Sequence, residues 1–375
     1  MTKKIYYIAH CRFPSERAHA IQIAKMVEAM RLEGVDVELV LPKRPNQITQ
    51  SPEAYYSLKT SLPANYLPIL NLYRLGKLGY FFSGLSFVFS YWLFILGRRR
   101  HGEQFSLYTI DMDQFSLVGV SFIKAPFIIE VHDAKRKSWV FGRMFARAER
   151  IVAINNINKR EIVKNFNLEE TKVIVAPNGI DLELFSKNVS VEAWRREWHI
   201  SKDRPFVLYV GKCYDWKGLD IFDKALTALP EVNFGFVGCT KAEVEALTGR
   251  KFDFKNALFF GQRPYSEMPY WMRSADLLLV IGTKKNKYSY LHTSPMKLFE
   301  YIATGVPVLA ADTPAIKDMI SEKEVFFYET DNTQSFVMKV KEILNNPELA
   351  KNIYCQAKLI SPRFSWQSRV KLIFK

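Results

Sequence analysis

The chain of 375 residues holds four cysteines, Cys11, Cys213, Cys239 and Cys355, far apart and with no CxxC pair. That spacing excludes a disulfide-stapled small scaffold and a zinc ribbon, and reduced thiols are the expectation. The N-terminus MTKKIYYIAH lacks an apolar run followed by a cleavage site, so no signal peptide is read. No internal repeat or low-complexity tract stands out. Acid is scarce: 53 Lys+Arg against 38 Asp+Glu leave a net charge of +15. Residues 1–100 supply +8 of it, from 14 Lys/Arg and 6 Asp/Glu. Such a bias attracts polyanions. There is no nucleic-acid module, so nucleic acid is not an expected partner, and the aromatics beside the basic residues favour an anionic membrane interface.

What is present describes a folded protein. Hydrophobic content is 48% and charged content 24%, and the length suits two domains with separate cores. Residues 4–9 (KIYYIA) read as a buried parallel strand, followed by a polar loop over 10–19, a helix over 20–33 stopped by Gly34, and a strand over 35–41. This unit opens a doubly wound domain, whose ligands bind beyond the carboxyl ends of the strands. The loop has no GxGxxG, which argues against a dinucleotide dehydrogenase. Residues 43–65 read as loop plus a short helix. Strands are expected at 105–110, 126–131 and 148–155, the last closing the first domain. A helix follows at 158–166, and an interdomain linker is placed at 182–204. Strands at 205–211, 232–237, 258–261 and 276–281 alternate with helices at 219–229 and 268–275, and the tail from 335 reads as helices.

Residues 80–97, YFFSGLSFVFSYWLFILG, carry no charge and as a helix would be about 27 Å long, close to a membrane span. A single crossing would part strands that have to share one sheet. A domain helix is the expectation, with Ser83, Ser86 and Ser90 as a small-residue stripe packed on the sheet. A bilayer-embedded helix is the alternative.

The most informative stretch is residues 288–312, YSYLHTSPMKLFEYIATGVPVLAAD. Ser294 and Pro295 suit an N-cap and first helical position, Met296 to Ala303 a helix, and Gly305 its left-handed stop. A buried strand follows at 307–311. The N–H groups around Ser294 to Lys297 make an anion site, and Glu300, one turn in, has the reach to accept a ribose diol. The bland alternative is an ordinary strand–loop–helix with a solvated Glu300.

SPMKLFEYIATGVPVLA resembles the donor-binding motif of family 4 of the retaining, nucleotide-sugar-dependent glycosyltransferases, and further matches run in family order to Phe364-Ser365-Trp366. The resemblance implies an α/β protein of the GT-B fold, two Rossmann-like doubly wound parallel-sheet domains facing across a cleft. The expected division is 1–185, 186–355 and a terminal helix, 356–375, crossing back. It implies transfer of a sugar from a nucleotide diphosphate sugar to an acceptor hydroxyl with retention, in cell-surface polysaccharide or glycolipid assembly. No cofactor and no metal ion are expected, and no Asp-x-Asp pair lies near the donor segment. The acceptor is expected to be a glycan or lipid-linked, and the location cytoplasmic, at the cytoplasmic face of a membrane.

Residue by residue, the resemblance puts Lys212 and Lys217, after Gly211, on the diphosphate, and Ser294, Pro295, Met296, Lys297 and Glu300 on the nucleotide. Gln262 and Arg263 fall near the base. His132, in Glu130-Val131-His132-Asp133, faces the reacting sugar. The alternatives are a helix-capping His132 and solvated lysines. Ser15, Arg17 and His19 lie on the acceptor side, although the glycine pair of many relatives is replaced here by Pro14-Ser15-Glu16-Arg17. The PNGID segment, residues 177–181, is structural. His292 stands where many members carry the first of two glutamates. It hydrogen-bonds a hydroxyl, binds a carboxylated sugar or lines the loop, and these stay open. Competing readings are an epimerase-like GT-B enzyme and a catalytically degenerate sugar- or membrane-binding protein.

Overall fold

Short, continuous apolar runs such as Lys4–Ile8 and Phe206–Val210 can only be satisfied inside a sheet covered on both faces, which is how parallel strands are used. The computed structural model describes residues 4–375 other than 112–115, 117 and 134. The chain divides into two units, residues 1–177 with 366–375, and residues 178–365. The first break falls before the 185 read from the sequence, and the return to the first unit comes at 366 rather than 356.

The first unit holds a seven-stranded parallel sheet in the order β3-β2-β1-β4-β5-β6-β7. Its strands are β1 (Lys4–Ile8), β2 (Val37–Pro42), β3 (Ala64–Leu67), β4 (Phe105–Ile110), β5 (Phe127–Val131), β6 (Arg150–Ala153) and β7 (Val173–Val175). Two corrections concern its edges. β3 lies in the stretch read as loop, because an edge strand of sequence ANYL carries almost no apolar signal. β7 follows the strand expected to be last, pairing Ile151 with Val173. The order reverses between β1 and β4, which places a ligand crevice beyond Ile8 and Ile110.

The second unit holds a six-stranded sheet, β10-β9-β8-β11-β12-β13, also parallel throughout. Its strands are β8 (Phe206–Val210), β9 (Asn233–Val237), β10 (Ala257–Gly261), β11 (Leu277–Val280), β12 (Val308–Ala311) and β13 (Phe326–Tyr328). Both faces are covered by apolar clusters, one including Trp271, Phe299 and Tyr301, the other Phe222, Phe236 and Phe336. Here the order reverses between β8 and β11, beside Gly211. Residues 182–204 are not a bare linker, since helices Leu182–Ser186 and Val191–Glu197 lie within them. Trp194 and Trp198 pack the second of them against Trp271.

The apolar stretch is the helix Gly76–Arg100, longer at both ends than the uncharged run. Its serines bond the segment that precedes it. Ser83 Oγ and Ser86 Oγ accept the backbone N–H of Leu72 and Leu70 at 3.0 and 2.9 Å, and Ser90 Oγ donates to Pro68 O at 2.5 Å. They clamp the strap that leads from β3 into the helix. The expectation of four reduced thiols is also corrected: Cys213 and Cys239 are joined as a disulfide, with Cα atoms 5.7 Å apart, while Cys11 and Cys355 are free. The loops after β8 and β9 bring together residues that lie far apart in sequence.

Candidate functional site

In the second unit the site begins where β8 ends. Gly211 adopts φ +137°, and a Cβ there would lie 3.5 Å from Lys297 Nζ and 3.6 Å from Lys217 Nζ. Two ammonium groups therefore converge on one stretch of bare backbone. Gly238 backs it so closely that a Cβ on Gly238 would come 2.9 Å from Gly211 C. A side chain at Gly238 would have to move main chain, whereas at Gly211 it is the positive φ that favours glycine.

The partners of the two lysines are neutral. Lys297 Nζ donates to Val210 O at 3.0 Å and sits 3.8 Å from the Tyr209 ring centroid. Lys217 Nζ donates to Lys212 O at 2.8 Å and faces the rings of Tyr214 and Trp216. Burial lowers the Lys217 ammonium to about 8. Burial, and then the charge on Lys217, push Lys297 well below its ordinary value. Two cations held close together against carbonyls and rings form a site that an anion stabilises.

The helix Met296–Thr304 aims its N-terminus into the same region, where the helix dipole favours an anion, although its Leu298 N–H is already taken by Pro295 O at 3.0 Å. Its cap differs from the expectation. Pro295, not Ser294, is the N-cap, and no side chain caps it. Ser294 is taken up by the PNGID segment: its Oγ accepts from the Asn178 backbone N–H at 3.2 Å, and its carbonyl accepts from Asn178 Nδ2 at 2.7 Å. Lys297 was expected here for its backbone, and its side chain also reaches the Gly211 stretch. Gly305 ends the helix at φ +75° as expected.

Glu300 is buried on this helix and accepts the Tyr265 hydroxyl at 3.1 Å. Burial raises its carboxyl to about 7, against the opposing pull of that bond and of Lys297. Tyr265 was not singled out in the sequence because a lone Tyr in a turn carries no pattern. His292 is buried in a single π-helical turn, Tyr288–His292. Lys212 contributes its carbonyl, which receives Lys217 and, at 3.3 Å, the Tyr209 hydroxyl. Gln262 is exposed after Gly261. Arg263 is a packing residue in this structure: its guanidinium lies 4.0 Å from the Trp198 ring centroid and its Nε donates to Phe260 O.

In the first unit the residues beyond the carboxyl ends of β1, β4 and β5 form a second polar group. His132 Nε2 meets Glu130 Oε1 at 2.5 Å, and its backbone N–H donates to Asp111 Oδ1 at 2.9 Å. With Nε2 engaged, the ring presents Nδ1 as its remaining polar atom; this tautomer is assigned from the network. Capping of the following helix is done by Ser138, not His132. Glu130 is fully buried and also receives Gln22, Tyr108 and both terminal nitrogens of Arg369. Burial alone would raise its carboxyl, but Arg369, His132 and Tyr108 outweigh that and hold it well below the usual range.

His19 lies on the helix Ala18–Leu32, and burial, with the positive field of Arg17, lowers its imidazole to about 4. Ser15 is buried, its N–H donating to the Tyr56 hydroxyl, which in turn donates to Ser15 O. Arg17 is the exposed N-cap residue of the helix and makes no side-chain cap bond.

Comparison with known proteins finds a family model for each half of the chain. The model of the glycosyl transferases group 1 matches residues 190–359, and that of glycosyltransferase family 4 matches residues 19–184. A teichuronic acid biosynthesis glycosyltransferase of Bacillus subtilis, TuaH, itself described as putative, is 23% identical over 202 residues, 54% of this chain and 50% of its own length. The chain thus spans only half of that relative. The processive diacylglycerol alpha-glucosyltransferase of Acholeplasma laidlawii is 23% identical over 279 residues, 66% of this chain and 81% of its own. Among solved structures, Anabaena HepE in complex with UDP superposes with a TM-score of 0.74 at 16% identity, over 99% of this chain and 98% of that one.

Proposed function

Because this chain belongs to the glycosyltransferases of the group 1 and family 4 type, with the GT-B fold, we propose that it moves a sugar from a nucleotide diphosphate sugar to an acceptor hydroxyl, with retention at the anomeric carbon. The observation that carries this reading is the convergence of Lys217 and Lys297 on the Gly211 backbone at a helix N-terminus. The bond from the anomeric carbon to the diphosphate breaks and its electron pair leaves with the phosphate oxygen. The acceptor oxygen bonds to the same carbon from the same face, and its proton passes to the departing diphosphate. Charge accumulates on the leaving group, so stabilisation of that charge is the main task of the protein. Lys217, Lys297 and the first-turn N–H groups meet it without a metal ion or cofactor.

Glu300 receives the ribose hydroxyls, and His132 orients the sugar through Nδ1 rather than acting as a nucleophile. HepE has been solved with UDP and UDP-glucose, which makes a uridine nucleotide the first donor to try. The names of the relatives, teichuronic acid and diacylglycerol enzymes, favour an acceptor in cell-surface polysaccharide or glycolipid assembly, in the cytoplasm. The test is turnover with UDP-sugars and a lipid-linked or glycan acceptor, with the product's anomeric configuration read by NMR. An α-configured donor is expected to give an α-product in the presence of chelator. Inversion, or a C4-epimerised nucleotide sugar made without acceptor, would overturn the reading.

A further inference from the structure

The helix Gly76–Arg100 has two unlike faces. Ser83, Phe87, Tyr91 and Ile95 are buried against the first unit. On the opposite side Leu78, Phe82, Leu85, Phe89 and Trp92 stand at spacings of four, three, four and three, each between 39% and 71% exposed. This is a continuous apolar stripe spanning about 80° of the helix, far more than scattered surface hydrophobics. Among the described residues this is the one helix long and apolar enough to cross a bilayer.

Charge decides what covers the stripe. Residues 54–102 hold six Lys/Arg and no Asp or Glu. Arg74 and Lys77 at one end and Arg99 and Arg100 at the other are exposed. A second copy of this helix, laid parallel or antiparallel, would set basic cluster on basic cluster. An anionic lipid surface is complementary to both ends at once, and Tyr, Trp and Phe are suited to the headgroup boundary. Topology decides how the helix lies. β3 precedes it and β4 follows it, and both belong to the same sheet, so the helix cannot cross without drawing that sheet into the bilayer.

We propose that the Leu78–Trp92 face is an in-plane anchor that seats the first unit on anionic lipid, its apolar side chains in the acyl boundary and Arg74, Lys77, Arg99 and Arg100 on the headgroups. The proposal is independent of sugar transfer, since it rests on none of the residues at the nucleotide site.

The experiment is flotation of the full chain with vesicles of phosphatidylglycerol and phosphatidylethanolamine, and with phosphatidylcholine vesicles as the neutral surface. Wild type is expected to float with the anionic vesicles at low salt, less at high salt, and not with the neutral ones. Leu78→Asp/Phe89→Asp is expected to stay at the bottom with an unchanged melting temperature. Arg99→Glu/Arg100→Glu, which touches no buried group, lowers partitioning on the order of thirtyfold and carries the test should the first variant not fold. Wild type failing to float at low salt, or either folded variant floating like wild type, would overturn the proposal. So would a dimer in vesicle-free solution that Leu78→Asp/Phe89→Asp disperses, because the occupant would then be a second copy. The thermal shift with nucleoside diphosphates is the same in every arm.

Discussion

Arg369, three residues into the C-terminal helix Trp366–Phe374, is paired with Glu130 at the end of β5, at 2.6 and 3.2 Å, and both are buried. The residues are 239 apart in sequence, and the pair fastens the last helix of the chain to the unit it began in. The same carboxylate holds His132, so the fastening and the orientation of that imidazole are one network. Removing one partner strands a buried charge. Arg369→Ala should therefore cost about 3–5 kcal/mol, read as a fall in the urea midpoint. A variant as stable as wild type would show that the pair is not formed.

The same pair sets an acid limb. The Glu130 carboxyl is depressed in the folded state, so its contribution is complete above the unfolded value near 4.5 and is lost as pH falls below it. Urea midpoints measured downward from pH 5 should drop more steeply for wild type than for Glu130→Gln. Equal slopes would contradict the depressed carboxyl.

Lys217 has the opposite sign. Its folded value of about 8 lies below the ordinary 10.5, so the buried charge destabilises the empty protein below pH 8 and the penalty fades as pH rises to 10.5. Lys217→Met should raise the melting temperature of the empty protein at pH 7, an advantage that shrinks by pH 10. The same variant should lose about 10²-fold or more in turnover, because the leaving group's charge is no longer met. A less stable variant with full activity would refute both parts.

Glu300 predicts a pH-dependent affinity. Its carboxyl titrates at about 7, so the carboxylate that accepts ribose hydroxyls is depleted below that pH. Binding of nucleoside diphosphate, followed by calorimetry, should weaken from pH 8 to pH 6 in wild type and stay flat in Glu300→Gln. Parallel curves would remove Glu300 from the ribose.

His132→Asn should reduce turnover while leaving the thermal shift by nucleoside diphosphate unchanged, since the phosphate-facing groups all lie in the other unit. A lost shift would mean that His132 acts on the nucleotide.

The fold was legible wherever a run of apolar residues had to be a covered strand: β1, β4, β5, β8 and β11 announce themselves. The edge strands do not: β3 (ANYL), paired on one side, carries little apolar character, and β7 (VIV) is apolar but only three residues long. At the site, the glycine after β8, Lys217 and the helix from Met296 to its stop at Gly305 are local patterns and were readable. Lys297's side chain, Tyr265 and the Glu130–Arg369 pair were not, since each depends on which elements the topology brings together. A glutamate inside the apolar run FIIEV and an arginine in an otherwise ordinary amphipathic helix were the available signals, and neither names its partner. Ser294 shows the converse: a good N-cap by sequence, it is claimed by Asn178 instead.

The most direct test of the nucleotide site is a thermal-shift comparison of UDP, GDP, ADP, TDP and CMP, without added metal, on wild type and Lys217→Met. Selective stabilisation of wild type by one nucleoside diphosphate, absent from the variant, is the predicted result, because a ligand bound only by the native state raises its melting temperature. No shift with any diphosphate, or an equal shift in both proteins, would contradict the assignment of the Gly211–Lys217–Lys297 cluster.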